Sequence, residues 1–362
     1  MDNNNNNNNN NNKIKINMLS MADSVDGQGV GSAYLELMKL LNEDGKNDFE
    51  IFLNKGTKYD IIHAHTVEPR NYLKLKFSKN PTVAYVHFLP DTLDGSIKLP
   101  KPIFKIFKKY VISFYKSADY LVVVNPIFKK DIAKAGIKED KITYIPNFVS
   151  KEMFYKKTDK EIKDIRKKLG IKENKFVVLG AGQIQNRKGV IDFVEVAKKL
   201  PKIDFIWAGG FSFGGITDGH HDLKKIMENP PKNVRFLGIV PRNEMNDLFN
   251  ASDLLFVPSY NELFPMTILE AISTDTPILL RDLELYEDIL FKKYLKGSNN
   301  DEFSEIIKLL SKDKKEYQKQ VENAKEISKF YSKEHVYKMW KEFYTEIAKK
   351  KKKEKNKRKK SE

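Results

Sequence analysis

The stretch SDLLFVPSYNELFPMTILEAIS, residues 252–273, contains three consecutive patterns. An apolar run, SDLLFVP, is followed by a short polar segment and then by the helix-prone residues TILEAIS. These patterns predict a buried strand, a tight loop and the start of a helix. Glu262 falls in the loop and Glu270 on the helix. Open α/β sheets bind ligands at such strand–loop–helix junctions, so this stretch is either a binding site or an ordinary connection with two solvated glutamates.

The same alternation of apolar strands and helical segments recurs along the chain in two series. The first series is 13–18, 49–53, 60–65, 82–87, 120–124 and 141–145; the second is 175–180, 204–208, 233–237, 253–257 and 277–280. Short strands that alternate with helices predict parallel, doubly wound sheets. We therefore predict an α/β protein with two Rossmann-like domains.

The predicted domain boundaries follow composition. Residues 1–12 form a disordered Asn tract, 13–150 the first domain, and 151–345 the second domain, whose final helix packs back on the body. The Lys-rich tail 346–362 is expected to be disordered.

Composition bounds the class of protein. The 362 residues carry a formal charge of +16, and residues 349–360 alone hold ten basic residues and one glutamate. A basic protein favours nucleic acid, anionic lipid or phosphorylated ligands. No apolar run approaches the roughly 20 residues that span a bilayer. The lack of a signal peptide and of cysteine suits the cytoplasm.

Three histidines lie near the ends of predicted strands in the first domain: His63, His65 and His87. They are candidates for a site at the functional edge of the sheet or for satisfied core histidines. A metal site is not favoured, because neither a carboxylate cluster nor an i, i+4 pair accompanies them.

Two loops have the composition of phosphate-binding segments. Gly27, Gly29 and Gly31 open an amphipathic helix, which is consistent with a phosphate-cradling loop or with a flexible turn. In GAGQIQNRKGV, residues 180–190, Arg187 and Lys188 precede a helix. Cations beside a helix N-terminus suit a diphosphate. A basic surface loop would have the same sequence pattern and is the alternative interpretation.

Residues 98–116, KLPKPIFKIFKKYVISFYK, interleave aromatic and basic side chains. This pattern is typical of a helix that lies in a membrane interface, and a core helix with a lysine-rich wet face is the alternative. The membrane-binding candidates are Phe104, Lys105, Phe107, Lys108 and Lys109.

The chain from about residue 13 to 345 resembles the retaining glycosyltransferases of family 4, which have the GT-B fold. The resemblance rests on DIIHAHT, SADYLVVVNP, ITYIPNFV, RKG, NVRFLGIV and the Glu-x7-Glu of NELFPMTILE. More narrowly, DSVDGQGVGSAY, YVHFLPDTLDGSIKLPK, WAGGFSFGGITDGHHDL and PSYNELFPMTILEA resemble the enzymes that add a second hexose to monoglucosyl-diacylglycerol.

The resemblance implies two Rossmann-like domains facing a central cleft and a hexosyltransferase that needs no cofactor or metal. It implies transfer of glucose or galactose from a UDP-hexose to glucosyl-diacylglycerol, by a peripheral protein at the anionic cytoplasmic face of the cell membrane. The alternative is a family 4 enzyme with a soluble or polysaccharide acceptor. A glycosidase with two catalytic carboxylates is another use of paired glutamates, but it would not need the basic loop that contains Arg187 and Lys188. Nucleic acid is not an expected partner.

The resemblance also implies roles for individual residues. Glu262, His87, Lys188 and Arg187 are the expected catalytic group. Donor binding is expected from Gly29, Gly31, Gln183, Arg187, Lys188, Ile239, Val240, Glu262, Phe264, Pro265, Met266, Thr267 and Glu270. The wider family usually has arginine where Gln183 stands, which leaves more of the charge stabilisation to Arg187 and Lys188.

Overall fold

The computed structural model describes residues 13–20, 29–55, 58–89, 100–211, 220–262 and 264–361. The predicted Asn tract and Gly27 lie outside these ranges. Contacts divide the chain into two compact units, of which the first comprises Met1–Pro90, Pro102–Asn147 and Lys333–Glu362, and the second Asp91–Lys101 and Phe148–Ser332. Within the described ranges, no helix is both long and apolar enough to cross a lipid bilayer.

Strands and helices alternate along the chain as predicted. In chain order, the elements of the first half are β1 (Ile14–Leu19), α1 (Gly29–Glu43), β2 (Phe49–Leu53), β3 (Ile61–Ala64), α2 (Pro69–Lys76), β4 (Thr82–Val86), α3 (Lys101–Lys116), β5 (Tyr120–Val123), α4 (Ile127–Lys134), β6 (Ile142–Tyr144) and α5 (Asp159–Lys168). Those of the second half are β7 (Val177–Ala181), α6 (Val190–Lys199), β8 (Asp204–Ala208), α7 (His220–Glu228), β9 (Val234–Phe236), α8 (Arg242–Ala251), β10 (Leu254–Val257), α9 (Met266–Ser273), β11 (Ile278–Arg281), α10 (Leu285–Ile289), β12 (Leu295–Gly297), α11 (Asn300–Leu310), α12 (Lys314–Phe330) and α13 (Lys333–Ser361).

Each unit contains one six-stranded sheet. The strand order is β2-β1-β3-β4-β5-β6 in the first and β12-β11-β10-β7-β8-β9 in the second, with the named strands paired in parallel. The predicted parallel, doubly wound sheets are therefore confirmed. The sequence prediction missed β12, which spans only Leu295–Gly297 and has too few residues for a recognisable apolar pattern.

Both sheets reverse the direction in which strands are added. In the first, β2 lies on one side of β1 and β3 on the other; in the second, β8 and β10 flank β7 in the same way. At such a switch point the two connections leave the carboxyl edge in opposite directions and open a crevice, where doubly wound sheets bind ligands. The loops after β7 and β10 thus mark the expected site of the second unit.

The final helix corrects the predicted boundaries. α13 is part of the first unit, whereas the sequence prediction assigned its first residues to the second domain, 151–345. The helix also includes residues 346–361, which were expected to be disordered. Its buried residues include Trp340 and Tyr344, whose rings stack at a centroid distance of 5.2 Å. Trp340 also stacks on Tyr85 of β4 at 5.8 Å. The helix joins this unit because its aromatic face covers one side of the first sheet.

The three histidines lie on this covered side, within a buried column of rings. The ring of His63 is 4.2 Å from that of His65 between centroids, and Nδ1 of His65 lies 3.4 Å from Nε2 of His87. The hydroxyl of Tyr344 lies 2.7 Å from Nδ1 of His63. Among the described residues, Nε2 of His63 has no hydrogen-bond partner, so a second proton there would have no acceptor.

Burial keeps these imidazoles neutral. Burial, with a smaller contribution from His87, lowers the pKa of His63 to about 3. Burial likewise lowers the pKa of His87 to about 3, and that of His65 well below its usual value. In the unfolded chain histidine protonates near pH 6.5. Between that pH and about 3 the unfolded chain binds more protons, so acidification through this window destabilises the fold.

We expect His63→Gln to reduce this acid sensitivity, because glutamine can keep a hydrogen bond to Tyr344 and does not titrate. Between pH 7 and pH 5, one such histidine removes about 2 kcal/mol of stability, and the variant should lose about that much less than the natural chain. Urea unfolding at both pH values, followed by Trp340 fluorescence in a Trp207→Phe background, measures the difference. His221→Gln, on an exposed side chain, is the control. Equal losses in all three proteins would contradict the prediction.

Candidate active site

Two loops of the second unit meet because β7 and β10 are neighbours, with Leu254 paired to Val178. The backbone N–H of Tyr260, after β10, donates to the carbonyl of Arg187, after β7, at 2.8 Å. The guanidinium of Arg187 donates back to the carbonyl of Asn261 at 3.3 Å. The basic loop and the glutamate loop are therefore held side by side at the carboxyl edge of the sheet.

Gly189 permits this close approach. Its φ is +69°, in the left-handed region, and a Cβ placed on it would lie 2.4 Å from the carbonyl oxygen of Pro258. Any other residue would strain the backbone and collide with the neighbouring loop. The RKG sequence therefore requires its glycine for packing, next to the two cations that the sequence singles out.

Lys188 and Glu262 form a buried ion pair across the two loops. The ammonium donates to Oε1 of Glu262, and the two side chains are 14% and 7% exposed. Burial lowers the pKa of Lys188, the charge of Glu262 opposes this effect, and Arg187 adds to it. Lys188 and the adjacent Arg187 carry two positive charges against the single negative charge of Glu262, which leaves excess positive charge at this place.

The loops also present groups without partners. Nε of Arg187 and the hydroxyl of Ser259 are buried and have no hydrogen-bond partner among the described residues. Helix α9 begins at Met266 without a side-chain cap from a described residue and without an acid in its first turn. A buried donor without a partner is costly, and an uncapped helix N-terminus attracts anions. Both features suit a bound anion.

Glu270 points from α9 toward a cation that the sequence analysis missed. The carboxylate is 5% exposed and lies 3.4 Å from Nε of Arg242, the first residue of α8. A carboxylate held beside the site by a neighbouring cation can accept hydroxyl hydrogens from a ligand. The sequence signal for Arg242 is only its place at a helix start after Pro241, which many surface arginines share.

Arg281 is a second residue that the sequence analysis missed. It ends β11, donates to the carbonyl of Pro258 at 2.8 Å and pairs with Asp192 at 3.1 Å. Its guanidinium also stacks 3.8 Å above the ring of Tyr260. Arg281 therefore fixes the start of the glutamate loop. A charged residue at the end of the apolar run PILL is the signal that could have identified it.

The other predicted donor residues of this unit flank the same strand ends. Ile239, beyond β9, is 71% exposed, which is unusual for isoleucine, and Val240 beside it is half-buried. Phe264 is buried and its ring lies 5.3 Å from that of Tyr331. The remaining residues are Pro265 as N-cap of α9, Met266 and Thr267 in its first turn, and Gln183, whose side chain accepts from Gln185 at 2.9 Å.

The first unit carries the remaining predicted site residues. His87 follows β4 directly and belongs to the buried histidine column. Gly29 and Gly31 occupy the first turn of α1, which follows β1 at the switch point of that sheet.

Helix α3 exposes a different apolar set from the one predicted. Phe104 and Phe107 are half-buried: Lys108 sits over the first ring at 4.8 Å, and the second stacks on Phe88 at 6.5 Å. Ile103 and Ile106, one turn apart, are instead 52% and 68% exposed. The exposed lysines of the predicted set, Lys105 and Lys109, share this outer part of the helix. The buried residues of α3 are Val111, Phe114 and Tyr115, all in its second half.

Among the described residues, no group of three His, Cys, Asp or Glu side chains is arranged to hold a metal ion. Arg187 and Lys188 are adjacent cations at the strand ends that can neutralise an anionic ligand.

Family models match most of the chain. One described as Glycosyltransferase Family 4 matches residues 46–152, and one described as Glycosyl transferases group 1 matches residues 161–327. The chain is 47% identical over 338 residues to the alpha-galactosylglucosyldiacylglycerol synthase of Streptococcus pneumoniae (strain ATCC BAA-255 / R6), which covers 93% of this chain and 90% of that protein. It is 29% identical to the processive diacylglycerol alpha-glucosyltransferase of Acholeplasma laidlawii, over 89% of this chain and 94% of that one.

Solved structures share the fold. The crystal structure of Anabaena HepE with UDP-glucose matches with a TM-score of 0.71 and 18% identity, over 93% of this chain and 100% of that one. Sucrose-phosphate synthase from Thermosynechococcus elongatus matches with a TM-score of 0.76 and 14% identity, over 92% and 99%. The predicted GT-B fold is confirmed.

We expect Glu262→Ala to reduce turnover at least about 100-fold, the size of effect that follows the loss of one preorganised hydrogen-bonding group of an active site. Steady-state product formation from a UDP-hexose measures the loss. Because Ala also leaves Lys188 buried without its carboxylate, Glu262→Gln, which keeps the shape of the side chain, is tested in parallel, and thermal unfolding confirms that each variant is folded. Glu305→Ala, on an exposed face of α11, is the matched control. A folded, fully active Glu262→Ala protein would exclude Glu262 from the site.

Proposed function

Since the chain belongs to the glycosyltransferases of group 1 and family 4, we propose that it transfers glucose or galactose from a UDP-hexose to monoglucosyl-diacylglycerol. The observation that carries the reaction class is the Lys188–Glu262 pair beside Arg187 and the uncapped start of α9. The glycolipid acceptor is supported by the name of the S. pneumoniae relative, which is similar to this chain over nearly its full length. The product is a diglycosyl-diacylglycerol.

We assign each part of the UDP-hexose donor to a different set of residues. Arg187 and Lys188 neutralise the diphosphate, with the backbone at Phe264–Thr267 and the start of α9 adding N–H donors. The carboxylate of Glu262 accepts hydrogen bonds from the hydroxyls of the hexose, and that of Glu270 from the ribose. The exposed side chain of Ile239 offers apolar surface to the base.

The reaction needs stabilisation of the leaving group more than it needs a protein nucleophile. The bond from the anomeric carbon to the diphosphate oxygen breaks, and a bond to the acceptor hydroxyl oxygen forms on the same face. Because the new bond forms on the face that the leaving group departs from, configuration is retained, and the proton of the acceptor hydroxyl passes to the leaving phosphate oxygen. Fixed cations and N–H dipoles stabilise the developing diphosphate charge, and they are most effective where water is excluded. This scheme requires neither a metal nor a cofactor.

Neutral His87 and the first-turn glycines of α1 complete the proposal from the first unit. Because burial lowers the pKa of His87 to about 3, its imidazole is uncharged near neutral pH and acts as a hydrogen-bonding group. Gly29 and Gly31 add no side chain at two positions in the first turn of α1, which suits approach of that backbone to a phosphate.

We further propose that α3 holds the protein on the anionic cytoplasmic face of the cell membrane. Its exposed Ile103 and Ile106 supply apolar contact, and Lys105, Lys108 and Lys109 supply charge. A helix with this division of side chains lies in the interface rather than across the bilayer. Such placement brings the enzyme to a diacylglycerol-linked acceptor.

The donor and acceptor are tested together. We expect purified protein to label monoglucosyl-diacylglycerol with radioactive hexose from UDP-glucose or UDP-galactose, and not to label soluble glucosides or polysaccharide at a comparable rate. Thin-layer chromatography of the lipid extract measures the product. If neither donor labels the glycolipid while a soluble acceptor is labelled, the lipid assignment is wrong and the alternative acceptor class is correct.

The membrane contact is tested by Lys105→Gln, Lys108→Gln and Lys109→Gln combined. Each lysine near an anionic surface contributes about 1 kcal/mol, so the triple variant should bind anionic vesicles on the order of 100-fold more weakly. Vesicle flotation measures the binding. The control is Lys312→Gln, Lys314→Gln and Lys315→Gln, three exposed lysines of the second unit. Equal binding by both triple variants and the natural chain would remove α3 from the membrane contact.

A further inference from the structure

A buried arginine joins three segments at the carboxyl edge of the second sheet. Arg281 is the last residue of β11, the strand next to β10. Its Nε donates to the carbonyl of Pro258, in the glutamate loop, at 2.8 Å. Its Nη1 donates to the carbonyl of Ser298 at 3.2 Å, and Nη2 lies 3.1 Å from Oδ2 of Asp192. One guanidinium thus contacts the segments after β10 and β12 and the first turn of α6.

A second arginine makes the same kinds of contact at the opposite edge of this sheet. Arg166 of α5 donates through Nε to the carbonyl of Ala251 at 2.9 Å and through Nη1 to that of Lys175 at 3.3 Å. Its Nη2 pairs with Oδ2 of Asp253 at 2.7 Å. The side chain is 14% exposed, and that of Arg281 is 10% exposed. The partners of Arg166 lie just before β7 and β10, whereas those of Arg281 follow strands.

The two edges of the sheet give these arginines different consequences. Both stabilise the second unit, because a buried carboxylate that loses its cation is strongly destabilising. Doubly wound sheets bind ligands at the carboxyl edge and not at the amino edge. Arg281 therefore holds segments that carry the candidate site, while Arg166 holds only the starts of strands.

Two contacts connect Arg281 to the position of Glu262. The first is the carbonyl of Pro258, against which Gly189 also packs, since a Cβ on that glycine would lie 2.4 Å from the same oxygen. The second is the ring of Tyr260, which the guanidinium covers at 3.8 Å. The backbone N–H of Tyr260 is already bonded to the basic loop. The segment that leads to Glu262 is therefore fixed at its first and third residues.

Tyr260 is held by this contact rather than by the hydrophobic core. Its side chain is 54% exposed, so burial contributes little to fixing the ring. A guanidinium over an aromatic face is an attractive contact. Burial and the carboxylate of Asp192 raise the pKa of Tyr260, and Arg281 opposes this effect, which agrees with one cluster of three side chains.

We propose that Arg281 is a positioning residue for the hexose of the donor. It acts through the backbone of Pro258 and the ring of Tyr260, which set the position of the Glu262 carboxylate. This role rests on the proposed transfer from a UDP-hexose. The cations of the basic loop do not contact Arg281 in the described contacts, so the role concerns the hexose and not the diphosphate. A misplacement of about 1 Å can lower turnover about 100-fold.

Arg281→Lys tests the proposal, since lysine keeps the charge but lacks the planar set of donors that makes these contacts together. We expect kcat for hexosyl transfer to fall at least about 10-fold through misplacement of the hexose. The affinity for UDP, measured by calorimetry on the full chain, should change less than about 3-fold, because UDP lacks the hexose. Arg166→Lys is the matched control: it should also lower the unfolding temperature, but leave kcat within about 2-fold.

Two variants of Tyr260 provide a second measurement that does not depend on how Arg281→Lys folds. Tyr260→Phe keeps a ring over the guanidinium, and Tyr260→Leu removes it. Because the side chain is half exposed, both proteins should fold. We expect kcat of Tyr260→Leu to be at least about 5-fold below that of Tyr260→Phe, with similar affinities for UDP.

The natural chain separates the two ways in which this experiment can fail. If it neither binds UDP nor transfers a hexose, the proposed function is wrong, and the positioning role is wrong with it. If it does both, three results would overturn the positioning role alone: natural kcat in Arg281→Lys, an equal loss of kcat in Arg166→Lys, or equal kcat in the two Tyr260 variants. Arg281 would then stabilise the fold as Arg166 does.

Discussion

The pairing of β7 with β10 is the constraint on which the candidate site depends. These strands are distant in sequence, and their parallel register places the ends of both at one edge of the sheet. The N–H of Tyr260 then reaches the carbonyl of Arg187, and Lys188 reaches Glu262. None of these side chains lies on a strand, so their geometry derives entirely from the sheet beneath them. Gly189 makes the approach sterically possible.

This geometry suits carboxylates that bind the hydroxyl groups of a ligand rather than an acid/base pair that hydrolyses a glycosidic bond. A glycosidase needs one carboxyl protonated and the other free. Here each glutamate lies beside a cation, Glu262 beside Lys188 and Glu270 beside Arg242. A carboxylate held beside a cation in this way can accept hydrogen bonds from the hydroxyl groups of a ligand. The paired carboxylates are therefore suited to orient hydroxyl groups.

Most of the fold could be predicted from the sequence, because parallel strands buried on both faces are continuous apolar runs. The glutamate loop and the basic loop were predictable for the same reason, since each follows such a run. Arg242 and Arg281 were not, because their partners are fixed by strand order and not by spacing. The membership of α13 was missed because an aromatic helix face does not specify which sheet it covers. The exposed pair Ile103 and Ile106 was missed because the aromatics of α3 dominate its composition.

The position of α13 has a consequence for biosynthesis. The hydroxyl of Tyr344 in α13 contacts His63, which lies 281 positions earlier in the sequence. The histidine face of the first sheet is therefore covered only after α13 has left the ribosome. The second unit, Asp91–Lys101 and Phe148–Ser332, does not include α13 and can therefore fold earlier. Contacts of such high sequence separation form slowly, and uncovered sheets are prone to aggregate. The beginning of this chain therefore matures last, and premature termination before residue 333 leaves the histidine face exposed.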